Sequence, residues 1–330
     1  MNKTKIDWAD YTWNPVTGCY HDCPYCYARK IATRFAGDVR MNMADSRCVG
    51  DKENGLLELA QPFESGQTHL AFPFGFLPTL HHYRLKVLNE LKNGQNIFVC
   101  SMADLFGEWV PDRWIELVFA TCKEHPLHNY LFLTKNPKRY AQLAAAGRLP
   151  RQSNMWYGST VTGPEQGYFY DAGYNTFLSI EPILGEQRFI QNTAALPKWV
   201  IIGAETGNRG GKVIPRKEWI DDILSYCKDL DIPVFLKNSL KEMYGENLIQ
   251  EWPKELMERK MGLVKRGKLI GRCFLCGKEQ MKNQMQNLRS RKGRGTPTEN
   301  FGYLCDECYQ IMKNAIEHNK KIGVYDNENR

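Results

Sequence analysis

No apolar run in this 330-residue chain approaches the roughly 18 to 20 residues that a membrane-spanning helix needs, so no such helix is expected. The opening stretch, M-N-K-T-K-I-D-W-A-D, has a basic start but lacks the apolar core of a secretory signal, and the expected location is cytoplasmic. That compartment is reducing, and disulfides are rare in it. The eleven cysteines are therefore read as metal ligands and buried thiols, not as a disulfide framework. A strict sequence repeat is also missing. What is present suits a globular chain long enough for one large domain and a smaller one.

Charge is distributed unevenly. From Arg259 to Arg330 there are 16 Lys or Arg against 7 Asp or Glu, which leaves 28 basic against 30 acidic residues before Arg259. A neutral body with a basic tail points to a polyanionic partner, with a merely solubilising tail as the alternative.

Short apolar runs recur at I-F-V-C-S-M from Ile97, Y-L-F-L-T-K from Tyr130, M-W-Y-G-S-T from Met155, T-F-L-S-I-E from Thr176, W-V-I-I-G-A-E from Trp199 and I-P-V-F-L-K from Ile232. Runs of this kind, separated by helix-length segments, read as strands buried on both faces of a parallel α/β sheet. Pro111 opens one expected helix, Asn136 to Gly147 spans another, and a third starts at Pro215. With one more strand just before Cys19 the count is about seven, which suits an open or partial (β/α) barrel. Polar residues follow these runs at their carboxyl ends: Ser101 and Asp104, Thr134 and Lys135, Ser159 and Thr160, Ser179 and Glu181, Glu205, and Lys237. Parallel barrels place active sites there, although strand ends are often polar simply because they meet water. Residues 36–80 have weak periodicity and read as an insertion or lid.

Cys19, Cys23 and Cys26 stand at spacing C-x3-C-x2-C. Three thiols so close can hold three irons of a cubane cluster and leave the fourth open; a structural zinc knuckle is the alternative. This spacing, with the aromatic Tyr25 before the third cysteine, resembles the radical S-adenosylmethionine (SAM) signature. The stretches D-W-A-D-Y-T-W-N-P-V-T-G-C from Asp7, S-M-A-D-L-F-G-E-W-V from Ser101, F-L-T-K-N-P-K-R-Y from Phe132, L-S-I-E-P-I-L from Leu178, I-I-G-A-E-T-G from Ile201 and V-F-L-K-N from Val234 resemble, in order, a phage- and prophage-borne radical-SAM-like family of unassigned function. More loosely, S-M-A-D-L followed by L-T-K-N-P is similar to the spore photoproduct lyase group. The phage family commonly spaces its first two cysteines further apart than this chain does.

The resemblance, which covers about residues 5 to 240, implies an α/β fold, a partial (β/α) barrel of radical SAM type, placed here at residues 1–250; the charge and cysteines of the tail make 259–330 a separate basic zinc-binding module. It implies a [4Fe-4S] cluster on Cys19, Cys23 and Cys26, SAM as cofactor, and generation of a 5′-deoxyadenosyl radical for modification or repair of a nucleic acid. It also implies an electron donor such as flavodoxin or ferredoxin. By the same resemblance Tyr25 lies against adenine. Ser101 and Asp104 meet the SAM amino group and Lys135 its carboxylate, while Thr160, Glu181 and Glu205 serve ribose, adenine or substrate. Lys135 reads equally as an exposed helix-entry lysine, and Glu205 as a turn residue.

In the tail, Cys273 and Cys276 form one C-x2-C pair and Cys305 and Cys308 a second, the ligand set of a tetrahedral four-cysteine zinc site. Between the pairs, Arg289, Arg291, Lys292 and Arg294 form a basic loop suited to a phosphate backbone, DNA or RNA. A purely structural staple and a second iron-sulfur cluster are the other readings of this module. For the whole chain, the rivals are a radical SAM enzyme acting on a peptide or small metabolite, and a zinc-dependent nucleic-acid-binding protein without enzymatic activity. Cys100, Cys122 and Cys227 are expected as buried thiols, Cys100 within a strand; Cys48 is uncommitted.

Overall fold

The computed structural model of the chain describes residues 2–91, 93–164, 166–187, 196–245, 248–260, 270–273, 276, 279–281, 285–290 and 299–321. The chain divides into two compact units, residues 1–261 and 262–330. Among the described residues no helix is long and apolar enough to cross a membrane.

Seven parallel strands form the main sheet of the first unit: β1 (Tyr11–Trp13), β2 (Asn96–Val99), β3 (Asn129–Thr134), β4 (Met155–Thr160), β5 (Asn175–Ile180), β6 (Val200–Ile202) and β7 (Val234–Leu236). They lie side by side in chain order, and Asn2–Lys3 adds an antiparallel edge to β1. Near-continuous apolar sequence makes these strands because both faces are covered. On the outer face, α2 (Asp112–Glu124) and α3 (Pro137–Ala145) bury Trp114, Phe119 and Tyr140 against Val99, Phe132 and Tyr157. Farther along, α4 (Lys217–Asp229) buries Ile220 and Ile223 against Val200 and Val234.

The inner face carries the alternate residues Phe98, Leu131, Trp156, Phe177, Trp199, Ile201 and Phe235. Trp8 packs among them, its ring centroid 4.7 Å from that of Phe98, 6.3 Å from Phe177 and 6.2 Å from Trp199. In a flat sheet β2 and β5 would stand about 14 Å apart, three strand spacings, too far for one indole to touch both so closely. The sheet is curled around this aromatic core. Gly158 makes room within it, since a Cβ there would lie 2.3 Å from the Phe177 ring.

The expected insertion builds most of a small sheet, in the order Val49–Asp51, Leu56–Leu59, Thr79–His81, completed by Val16–Thr17 from before the cysteine loop, over a core that includes Cys48, Phe63 and Phe74. Buried Glu58 ties it to α2 by accepting hydrogen bonds from Arg113 and, at 3.1 Å, from the Trp114 indole. Cys100, Cys122 and Cys227 are buried as expected. Cys100, however, lies past the end of β2 in a left-handed turn (φ +59°), its N–H donating to the Trp13 carbonyl at 2.7 Å.

In the second unit, strand Ile270–Arg272 pairs with Glu279–Met281 and Met285–Ser290 with Glu299–Cys305, followed by the helix Asp306–Lys321.

Candidate active site

Gly18 sets the cysteine loop in place. Its φ of +87° is one that glycine alone adopts freely, and a Cβ would stand 2.2 Å from the Leu77 carbonyl oxygen. The flanking backbone is clamped on both sides: Gly18 N–H donates to Met102 O at 2.9 Å, and Cys19 N–H to Phe76 O at 3.2 Å. Cys26 then caps helix α1 (Tyr27–Arg34), its Sγ accepting from Arg29 N–H at 3.4 Å, and Cys19 Sγ accepts from His21 N–H at 3.5 Å.

The loop opens onto a cavity of about 380 Å³. It contributes Cys19, Cys23, Cys26 and Tyr25 to the lining. The segments after β2 and β3 add Ser101, Asp104 and Lys135; Thr160 ends β4, and Glu181, Glu205 and Lys237 follow β5, β6 and β7. Of the strand-end polar residues that the sequence pointed to, all but Ser159 face one cavity at the carboxyl ends of the strands; Ser159 Oγ instead accepts from Phe169 N–H at 3.0 Å. Burial pushes the Cys19 thiol up to about 12. Cys23 is raised by burial too, against a counteracting pull from Lys135.

Asp104 is the most heavily engaged of these groups. Its Oδ1 accepts from Thr134 Oγ1 at 2.7 Å and Phe106 N–H at 3.0 Å, while Oδ2 accepts from Lys135 N–H at 2.9 Å and meets His21 Nε2 at 2.7 Å. A carboxylate has about four acceptor positions, so all are taken by protein. Glu181 is paired with Lys237, and Glu205 receives a two-pronged hydrogen bond from Arg209 at 2.6 and 2.8 Å. Lys135 differs: among the described residues its Nζ meets the Tyr25 hydroxyl at 3.2 Å and no carboxylate. Ser101 Oγ donates to Asn14 Oδ1 at 3.2 Å.

Trp8 and Tyr27 also line the cavity, though the sequence marked neither as a site candidate. Among the described residues, Ser179 Oγ and Trp8 Nε1 are buried without a hydrogen-bond partner, and Tyr27 donates its hydroxyl to Ser101 O at 2.8 Å. Ser179, one of the strand-end polar residues, precedes Glu181 by two positions and shares its strand face. Nothing in the sequence ties Trp8 to the same cavity.

Among the described residues, the four thiols of Cys273, Cys276, Cys305 and Cys308 lie within 4.8 Å of one another, and Cys276 Sγ is 3.8 Å from Cys305 Sγ. Tetrahedral thiolates about 2.3 Å from a zinc ion stand roughly 3.8 Å apart. Cys308 is pushed up to about 12, first by its hydrogen bond with Cys305, then by desolvation and by hydrogen bonds with Cys276 and Cys273. The set fits a single metal ion. Arg289 lies in the strand Met285–Ser290, whereas Arg291, Lys292 and Arg294 fall outside the described residues.

Comparison of the fold finds spore photoproduct lyase complexed with dinucleoside spore photoproduct, at 10% identity over 96% of this chain and 74% of that one, with a TM-score of 0.34. A variant of that lyase with bound AdoMet and dinucleoside spore photoproduct gives 11% identity, the same coverage and 0.34. Likeness at this level assigns nothing to the cavity. No curated protein matches the sequence. Residues 3–268 match the model of the family described as Protein of unknown function (DUF5131), which takes in the cysteine loop and all seven strands, and the chain belongs to that family.

Proposed function

We propose that this chain is a radical SAM enzyme that modifies or repairs a nucleic acid, with a [4Fe-4S] cluster on Cys19, Cys23 and Cys26. The observation that carries the proposal is the convergence of these three thiols with the strand-end polar groups in one cavity. The donor set fits the cluster. Three thiolates leave one iron open, and Cys19, Cys23 and Cys26 all line the one cavity. When bound, the cluster supplies one electron for reductive cleavage of SAM.

The chain's own residues bind, orient and exclude water. Lys135, which meets no carboxylate among the described residues, takes the SAM carboxylate in this reading, and Tyr25 beside it takes the adenine. Ser101 keeps acceptor capacity for the amino group. Asp104, with its acceptor positions filled, is assigned instead to bracing the cysteine loop. Thr160, Ser179 and Trp8 offer polar atoms to ribose, adenine or substrate, with Glu181 and Glu205 held by their cations. In this reading residues 1–250 are the catalytic barrel and 259–330 a zinc module that brings in nucleic acid through Arg289, Arg291, Lys292 and Arg294. Flavodoxin or ferredoxin serves as electron donor.

Anaerobic incubation of reconstituted chain with SAM and dithionite should yield methionine and 5′-deoxyadenosine, and Cys19→Ala, Cys23→Ala or Cys26→Ala should each abolish the product. A triple alanine variant that kept the brown cluster absorbance and still cleaved SAM would refute the assignment.

A further inference from the structure

Helix α1 packs the wrong way round for a surface helix, which normally turns its large apolar residues inward. It buries Ala28 and Ala32, while Tyr27, Ile31 and, at its C-cap, Phe35 are 50%, 39% and 54% exposed. Positions four apart fall on one face and advance about 6 Å per step, so the three form a row. Exposed Lys30 and Arg34 flank the row, each one residue before an apolar member, and the Arg34 guanidinium lies 5.4 Å from the Phe35 ring centroid. No Asp or Glu occurs in α1. The row begins at the cavity, because Tyr27 lines it.

We infer that single-stranded nucleic acid docks along this face of α1 and enters the cavity past Tyr27. The aromatic rings of Tyr27 and Phe35 can stack unstacked bases, with Ile31 as apolar packing surface between them, and interleaved cations follow the phosphates. A duplex keeps its bases paired inside and would offer this face phosphates only, leaving the apolar row uncovered. A reacting base, moreover, must leave the duplex to reach a cavity. The inference names the substrate class of the reaction proposed above; it rests on that reading for the chemistry but not for the binding.

Fluorescence anisotropy of the full chain with a labelled twelve-residue oligo-dT or oligo-U, against a duplex of equal length, tests it. Ile31→Ser with Phe35→Ser should weaken single-strand binding roughly tenfold or more with little change in salt dependence, since a stacking ring and the apolar surface beside it are being removed. Phe35→Tyr should retain binding, which separates loss of the platform from misfolding. Lys30→Ser with Arg34→Ser should lower affinity and flatten the slope of log K against log salt by about 1.4, two phosphate contacts of a single strand. Unchanged affinity in all these variants, or duplex binding as tight as single-strand binding, would overturn the inference. It would also fall if the variants bound the oligonucleotide normally but slowed reduction by an acidic flavodoxin, since the face would then belong to an electron donor. Cluster absorbance and SAM cleavage without nucleic acid report separately on the enzymatic reading and should persist in every variant.

Discussion

His21 Nε2 and Asp104 Oδ2 stand 2.7 Å apart, and this contact joins the cysteine loop to the segment after β2 across 83 residues of sequence. Asp104 can hold its four donors only as a carboxylate. Asp104→Asn would turn an NH2 group toward donors in a buried place, at a cost of about 1–3 kcal/mol. Urea denaturation should show that loss, and iron per chain after reconstitution should fall, because the loop bearing Cys19 and Cys23 loses its brace.

Gly18→Ala should be worse than an ordinary loop substitution. A left-handed non-glycine residue costs on the order of 1–3 kcal/mol, and here the added Cβ also meets the Leu77 carbonyl at 2.2 Å. The expected outcome is a lower urea midpoint together with impaired cluster assembly. Gly163→Ala, where a Cβ meets nothing within 4 Å, should leave both unchanged.

Arg209 holds the Glu205 carboxyl below its ordinary range, chiefly through their hydrogen bonds. A group depressed in the folded chain contributes stability above its unfolded value, about 4.3, and loses it as pH falls through the folded value. Glu205→Gln should therefore cost about 1.5–3 kcal/mol at neutral pH, as expected for hydrogen bonds to a charged group. The gap from the parent chain should close as the solution is acidified below about pH 4. Urea midpoints measured across that range give the check.

The tail thiols should bind one zinc ion per chain. Metal analysis of the full chain should lose that equivalent on Cys273→Ser with Cys305→Ser while the iron content stays the same. Binding should release protons, since thiols ligate as thiolates.

Apolar runs ending in polar residues made the strands and their order legible, because strands covered on both faces need continuous apolar sequence. The cysteine spacing was legible for a different reason: three ligands within eight residues is a local property of the chain. Sequence placed Cys100 in a strand, whereas close packing beside Trp13 turns it into a left-handed corner. The weakly patterned segment 36–80 gave no sign of building most of a small sheet, with Phe76 and Leu77 supporting the cysteine loop.

The sequence by itself determined the parallel α/β arrangement, the two cysteine sets and the polar residues that end the strands, all of which depend on neighbours in the chain. Tertiary structure decided which of those polar residues are still available to a ligand. Curling of the sheet around Trp8 brings six strand ends to one cavity, and there Asp104 and Glu205 find their donors while Lys135, among the described residues, meets no carboxylate. Hydrogen bonds and ion pairs act over a few ångströms in space, between groups 83 residues apart for His21 and Asp104 and 110 apart for Tyr25 and Lys135, so the spacing of residues along the chain carries no record of them.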